Sequence, residues 1–227
     1  MDNPSTPVKR SLGVLYEDDC YIVFDKPSGL LVIPTPKKEK NTMVTMANQM
    51  YAARENYTLH PCHRLDRDTS GAILFAKGKK YQQLMMKEFF RQSVKKKYTA
   101  FVDGHLRPAQ GVLRRPLADF DERRYHQRAS LKTAITRYRV VKFRPTYSVV
   151  EVMPLTGRTN QIRVHFSQIG HPLLGDRKYA EGKNFSVKFN RTALHASELE
   201  WPHPEYQRMV TVKAPLADDM RKLLGQN

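Results

Sequence analysis

The order of strand-like and helix-like runs constrains this chain most. Many short strand patterns are broken by only a few helical ones, with no regular strand–helix–strand alternation, which argues for an α+β fold with a mixed, largely antiparallel sheet flanked by helices and loops. GVLYEDDCYIVFDKPSG reads as two short strands about an acidic turn, stopped by Pro27 and Gly29. LVIPTPKKEKN is a loop, and TMVTMANQMYAARE a helix capped at Asn41 or Thr42. After the apolar strand GAILFAK comes a helix over residues 79–93, with Tyr81, Leu84, Met85 and Phe89 on its buried face. KKKYTAFVDG is a strand ending at Gly104, and ITRYRVV with YSVVEVMPL forms a hairpin-like pair. TNQIRVHFSQIG is a helix whose apolar face is Ile162, Phe166 and Ile169, stopped by Gly170. TALHASELEW and RMVTVKAP add two strands before a helix from Leu216 to Leu224. Residues 107–130, by contrast, are polar, cationic and without strong periodicity, the mark of an irregular functional or mobile segment. The expected organisation is a flexible tail over 1–11 and one domain over 12–227.

Charge narrows the partner. The 227 residues carry 39 Lys and Arg against 22 Asp and Glu, a formal charge of +17. The excess is concentrated between Arg91 and Arg144, where 15 basic residues meet four acids, Asp103, Asp119, Asp121 and Glu122. A field of that sign favours a polyanion, nucleic acid before others. No run approaches the ~20 apolar residues of a membrane helix, and the N-terminus lacks the apolar stretch of a secretory signal. Cys20 and Cys62 read as reduced cysteines of a cytoplasmic protein, too few for a disulfide framework and without zinc-site spacing.

The stretch HRLDRDTSG, residues 63–71, sets two arginines, a histidine and two aspartates against the start of the buried strand AILFAK. Charge so placed must be paired or used. A salt-bridged corner around Asp66 or Asp68 is one reading, and a working site is the other. TGRTNQIRVH puts Arg158 before a helix and Arg163 on its first turn beside Ile162, making Asp66 a plausible partner for Arg163. Such a pair would keep the aspartate ionised with water excluded. GHPLLGDRKY adds a Gly-punctuated polar loop. There is no nucleophile elbow, phosphate-cradling glycine loop, H-E-x-x-H or dinucleotide fingerprint, so no cofactor and no metal are expected. His63, His165, His171 and His195 lack metal-like spacing and read as structural hydrogen-bonding residues.

Taken in order, DDCYIVFDKPSGLLV, HRLDRDTSGAILFAK, KKKYTAFVDG, TGRTNQIRVHFSQIGHPLLGDRKY and ALHASELEWPHP resemble the RluA-type pseudouridine synthases over residues 12 to 216. The resemblance implies that family's catalytic domain, isomerising specific uridines in ribosomal or transfer RNA to pseudouridine without cofactor or second substrate. It makes Asp66 the catalytic carboxylate. Three routes are open to it: attack on the sugar C1′, attack on the uracil ring, or assistance in proton removal. Arg163 becomes the partner that orients Asp66. Tyr98 is the residue that stacks on the target base and helps take up the C5 proton, and Leu194 the apolar wall. Arg64 helps displace the uridine from its stack, since a base in folded RNA must flip before any side chain reaches its glycosidic bond. Asp68, Thr69 and Ser70 form a supporting turn. Lys77 and Lys95 to Lys97 face either phosphate or solvent. Segment 107–130 falls where family members carry an RNA-gripping loop, so Arg114, Arg115, Arg123, Arg124 and Arg128 are expected to include phosphate contacts.

Two departures stand out. The family's GRTHQ is GRTNQ here, with Asn160 offering one donor and one acceptor but no acid–base function. The small RNA-binding domain that precedes many relatives is not expected here, so the catalytic domain itself would recognise RNA, as a monomer. A non-catalytic RNA assembly factor is the second reading, opposed by the joint presence of Asp66, Arg163 and Tyr98. A hydrolase using Asp66 as nucleophile is the third, lacking a water-activating base or metal set.

Overall fold

The computed structural model describes residues 12–52, 57–119, 130–180 and 182–225. The expected tail over 1–11 lies outside them. In chain order the elements are β1 (Gly13–Glu17), β2 (Tyr21–Lys26), α1 (Met43–Tyr51), β3 (Leu59–Pro61), β4 (Ser70–Lys77), α2 (Lys79–Phe90), β5 (Lys95–Asp103), β6 (Gln110–Asp119), β7 (Ser130–Phe143), β8 (Tyr147–Pro154), α3 (Gln161–Gln168), β9 (Leu194–Pro202), β10 (Met209–Lys213) and α4 (Asp218–Gly225). One sheet runs β1-β2-β4-β9-β5-β8-β7-β6, with β3 on β4 and β10 on β9. Only β4 against β9 is parallel among the described strand pairs. The fold is α+β with a mixed, mostly antiparallel sheet.

Side-chain alternation explains the apolar runs. From β2 and β4, Ile22, Phe24, Ile73 and Phe75 enter a core shared with α1 and α3. Their neighbours Tyr21, Val23, Ala72, Leu74 and Ala76 face the other way, into a core with Met85 of α2 and Trp201 of β9. Strands covered on both faces lose the polar half of the alternation, which is why AILFA reads as continuous. A third cluster seats Met220 and Leu223 of α4 on Phe101, Tyr147 and Val149. Thr42 caps α1 as expected, its hydroxyl accepting from the Thr45 amide, and α1 ends at Tyr51.

Gly71 fixes how β4 meets β9. It has φ of 103°, and a Cβ there would lie 2.3 Å from the Ala196 carbonyl oxygen. Only glycine allows this approach, and it brings the end of the HRLDRDTSG loop beside Leu194 and His195. The irregular segment expected over 107–130 is corrected in its described part. Residues 110–119 form a regular strand, registered from Gln110↔Arg139 to Asp119↔Ser130 on β7. β6 is an edge strand with exposed Val112, Arg114, Arg115 and Pro116, so its sequence lacks an alternating buried face. The pairing with β7 supplies the regularity.

Candidate active site

Asp66 is held by backbone before any side chain acts on it. In the turn after it, the Thr69 amide donates to the Asp66 carbonyl at 3.1 Å. Lys26, fully buried, donates from Nζ to the carbonyls of Pro27 (3.0 Å), Arg67 (2.9 Å) and Thr69 (2.8 Å). Arg191 adds a bond from Nη1 to the Asp68 carbonyl at 3.1 Å and one to the Leu194 carbonyl at 3.1 Å. Its other edge makes a two-pronged contact with Asp219 of α4. Neither Lys26 nor Arg191 was singled out by sequence reasoning. Their signal is weak, because a basic residue among basic residues says nothing of carbonyls brought near by a distant loop.

The Asp66 side chain meets Arg163 as expected, but as the lesser of two carboxylates. Asp66 Oδ2 lies 3.5 Å from Arg163 Nη1, whereas Nε and Nη2 donate to Asp176 at 2.7 and 2.9 Å. The bidentate geometry makes Asp176 the anchor. Burial would raise the Asp176 carboxyl, yet Arg163 and the amides of Tyr179 and Lys178 hold it below the usual range. Arg163 favours the ionised form of Asp66, as expected, but offsets only part of the cost of burying it. Burial pushes the Asp66 carboxyl up, and the lowering by Arg163 and Arg64 does not offset it. Asp176 lay within the quoted GHPLLGDRKY, but a loop aspartate 13 residues from Arg163 shows no periodicity that would pair them. Asn160 answers its departure from the family pattern. In a left-handed conformation (φ 53°), it accepts from Arg163 Nη1 at 3.1 Å and donates to the Tyr179 hydroxyl at 3.0 Å.

Around this carboxylate opens a cleft of about 1130 Å³, lined by Arg64, Asp66, Tyr98, Arg163 and Leu194. All five were named from sequence. Tyr98 and Leu194 are buried and Arg64 is exposed. Burial, with the Asp66 charge added, pushes the Tyr98 phenol up, so it stays protonated and is a poor proton acceptor. The walls are cationic, adding Lys95, Lys96, Lys97, Arg137 and Arg158 to Glu198 and Glu200. Arg137 was not anticipated, although alternation along ITRYRVV would have turned it to one face. Arg114 and Arg115 are exposed on β6 and line no part of this cleft, but Arg114 stands opposite Ile135. The Ile135 carbonyl accepts from Gln161 in the cleft wall. Arg123, Arg124 and Arg128 lie outside the described residues.

The histidines are structural, as expected. His63 Nε2 accepts from the Leu74 amide, His195 Nδ1 pairs with Ser70 Oγ, His165 Nδ1 with Thr136 Oγ1, and His171 Nδ1 with the Asp103 carbonyl. Among the described residues, Asp18, Cys20 and His203 alone place three metal-capable atoms together, within 4.8 Å. They do not fit a metal. His203 donates from Nε2 to Asp18 and accepts at Nδ1 from the amides of Glu205 and Tyr206, leaving no ring lone pair. The group clasps the β1–β2 turn to the β9–β10 turn. No described helix is long and apolar enough to cross a membrane.

Residues 20–168 match the sequence family described as RNA pseudouridylate synthase. The dual-specificity RNA pseudouridine synthase RluA of Escherichia coli K12 is 37% identical over 220 residues, which span 95% of this chain and 98% of that protein. The uncharacterized RNA pseudouridine synthase YhcT of Bacillus subtilis is 33% identical, over 96% of this chain and 72% of that one. Among solved structures, the human RNA pseudouridylate synthase domain containing 4 superposes with a TM-score of 0.78 at 26% identity, covering 93% of both chains.

Proposed function

Since the chain belongs to the RNA pseudouridylate synthase family and is of the RluA type, an isomerase of uridine in RNA, we propose that Asp66 is its catalytic carboxylate and that the cleft receives a uridine flipped out of ribosomal or transfer RNA. The observation that carries this reading is convergence: Arg64, Asp66, Tyr98, Arg163 and Leu194, spread over 131 positions of sequence, line one cleft. In the isomerisation the bond from C1′ to N1 breaks, a bond from C1′ to C5 forms, and the C5 proton leaves for solvent while N1 gains one. Nothing is oxidised, and no second substrate enters. Tyr98 supplies a buried ring for the uracil to lie against, and Leu194 closes the apolar side. Arg64, at the exposed mouth, helps displace the base from its stack. The enzyme works as a monomer in the cytoplasm. The test is tritium release: purified protein with bulk ribosomal and transfer RNA tritiated at uracil C5 should release label to water and leave the strands intact. RNA binding without release would favour the assembly-factor reading.

Two further results follow from this assignment. Asp176→Asn removes the anchor of Arg163 and frees its guanidinium to turn onto Asp66. Turnover should fall about 100-fold, as for a reacting group displaced by about 1 Å, and RNA affinity should hold. Because Arg163 then stabilises the ionised carboxylate more strongly, the acid limb of the pH–rate profile should move to lower pH. A purely structural Asp176 would leave that limb in place. Arg114→Gln with Arg115→Gln tests the β6 contribution. If both reach phosphates, the slope of log affinity against log salt should shrink by about 1.4–1.8, and an unchanged slope removes β6 from the RNA footprint.

A further inference from the structure

Four lysines were candidates for phosphate contact, and the fold commits three of them elsewhere. Lys77 Nζ bonds Glu17 at 2.8 Å and sits over the Tyr57 ring. Lys95 Nζ meets Glu200 at 2.5 Å, and Lys97 Nζ meets Glu198 at 3.1 Å and Glu151 at 3.7 Å. On β5, Lys95 and Lys97 stand opposite Glu200 and Glu198 of β9, and Lys96 between them stands opposite Leu199, just before the register shift that separates Lys97 from Tyr98. Beyond the shift Tyr98, Ala100 and Val102 belong to the core, and before it all three lysines line the cleft, where only Lys95 and Lys97 are met by glutamates.

Lys96 is half-buried there, and its Nζ has no hydrogen-bond or ion-pair partner among the described residues. Its Nζ lies 3.6 Å from the position that a Cβ on Gly157 would take, which sets it against the loop that leads into α3. His63, the nearby titratable group, accepts from the Leu74 amide and stays neutral, its imidazole pushed down to about 3 by burial. Burial likewise pushes the Lys96 ammonium down. A desolvated cation without a counter-ion costs stability, which is retained only if an anion arrives. The substrate brings one per nucleotide.

Resting on the pseudouridine synthase reading, we propose that Lys96 is the cleft's phosphate-binding residue, taking the phosphodiester that adjoins the flipped uridine. Two residues of β5 set Lys96 about 7 Å along the strand from Tyr98, comparable to the separation of a nucleobase from the phosphate of its own nucleotide. One point charge at the cleft mouth then fixes where the backbone stops, and with it how deep the base can travel. Lys95 and Lys97, tied to glutamates, contribute charge but not this contact.

The test compares Lys96→Met, which keeps the aliphatic stem, with Lys96→Arg, which keeps the charge. On bulk tritiated transfer and ribosomal RNA, Lys96→Met should raise KM at least about tenfold, lower kcat far less, and reduce the salt slope of affinity by about 0.7–0.9. Lys96→Arg should recover most of the loss. Lys96→Met should melt at the same temperature as wild type or higher, since it removes a desolvated charge. A short RNA carrying the modified uridine, with a neutral methylphosphonate at either flanking linkage, locates the contact. Neutralising the correct linkage should weaken wild type as much as Lys96→Met does, and affect Lys96→Met no further. An unchanged salt slope, or methylphosphonates that weaken both proteins equally, would overturn the assignment in favour of a contact to the base. The slope is read from binding alone, so wild type that binds RNA without releasing tritium would sink the isomerase reading and leave the lysine decided on its own data.

Discussion

Asp66→Asn is expected to bind RNA with wild-type affinity and to lose tritium release by about 10⁴-fold or more. The amide is isosteric and can still accept from Arg163, so the turn and the cleft keep their shape. It lacks the charge and nucleophilicity that the bond exchange uses. Stability gives an independent reading. Burial raises the folded-state value of Asp66, so the folded chain binds a proton that the unfolded chain has released once pH exceeds the ordinary carboxylate value. Stability is thus lost as pH rises through that window, and at pH 7 the ionised Asp66 weighs against the fold. Asp66→Asn should therefore melt no lower than wild type at pH 7, and the gap should close in acid. In wild type, catalysis needs the ionised form, so the rate should fall as pH drops through the raised value. A variant that still releases tritium within about tenfold of wild type would remove Asp66 from the chemistry.

What the sequence discloses of this site follows from what pattern can carry. Alternation and period reported β2, β4, β5, β8 and α3 because their side chains face cores that impose one polarity on one face. β6 escaped because an edge strand with exposed arginines has no such face, and its order comes from the register with β7. At the site, Asp66 and Arg163 were paired from charge set against core faces, while their catalytic roles, and Tyr98 and Leu194 altogether, were reached through a family resemblance, since no local pattern links positions 66 and 194. The supports were hidden for a different reason. Asp176, Lys26 and Arg191 act on groups 13 to 123 positions away, and the groups that Lys26 holds are backbone carbonyls, which every residue has.

Lys26→Met is expected to cost about 3–5 kcal/mol of stability, the range for removing one partner of a buried charged network. Methionine fills the volume but donates nothing, so the Pro27 and Thr69 carbonyls lose the partner that Lys26 gives them. The Arg67 carbonyl keeps only the Gly29 amide. Those carbonyls flank Asp66, so the loss should reach the chemistry: turnover about 100-fold lower, measured where the variant is still folded. A pH signature separates this lysine from a generic packing loss. Burial lowers the Lys26 ammonium to about 7, with Asp68 and Asp66 pulling upward and Arg191 and Arg67 downward. Between about 7 and the ordinary lysine value near 10.4 the unfolded chain holds a proton that the folded chain sheds, so stability from this group rises with pH across that window and is flat below it. Chemical denaturation of wild type and Lys26→Met over pH 6 to 10 should show the difference between them widening with pH. A gap below about 1 kcal/mol at every pH, with turnover unchanged, would mean that the loop carrying Asp66 is held by its own turn and by Arg191 alone.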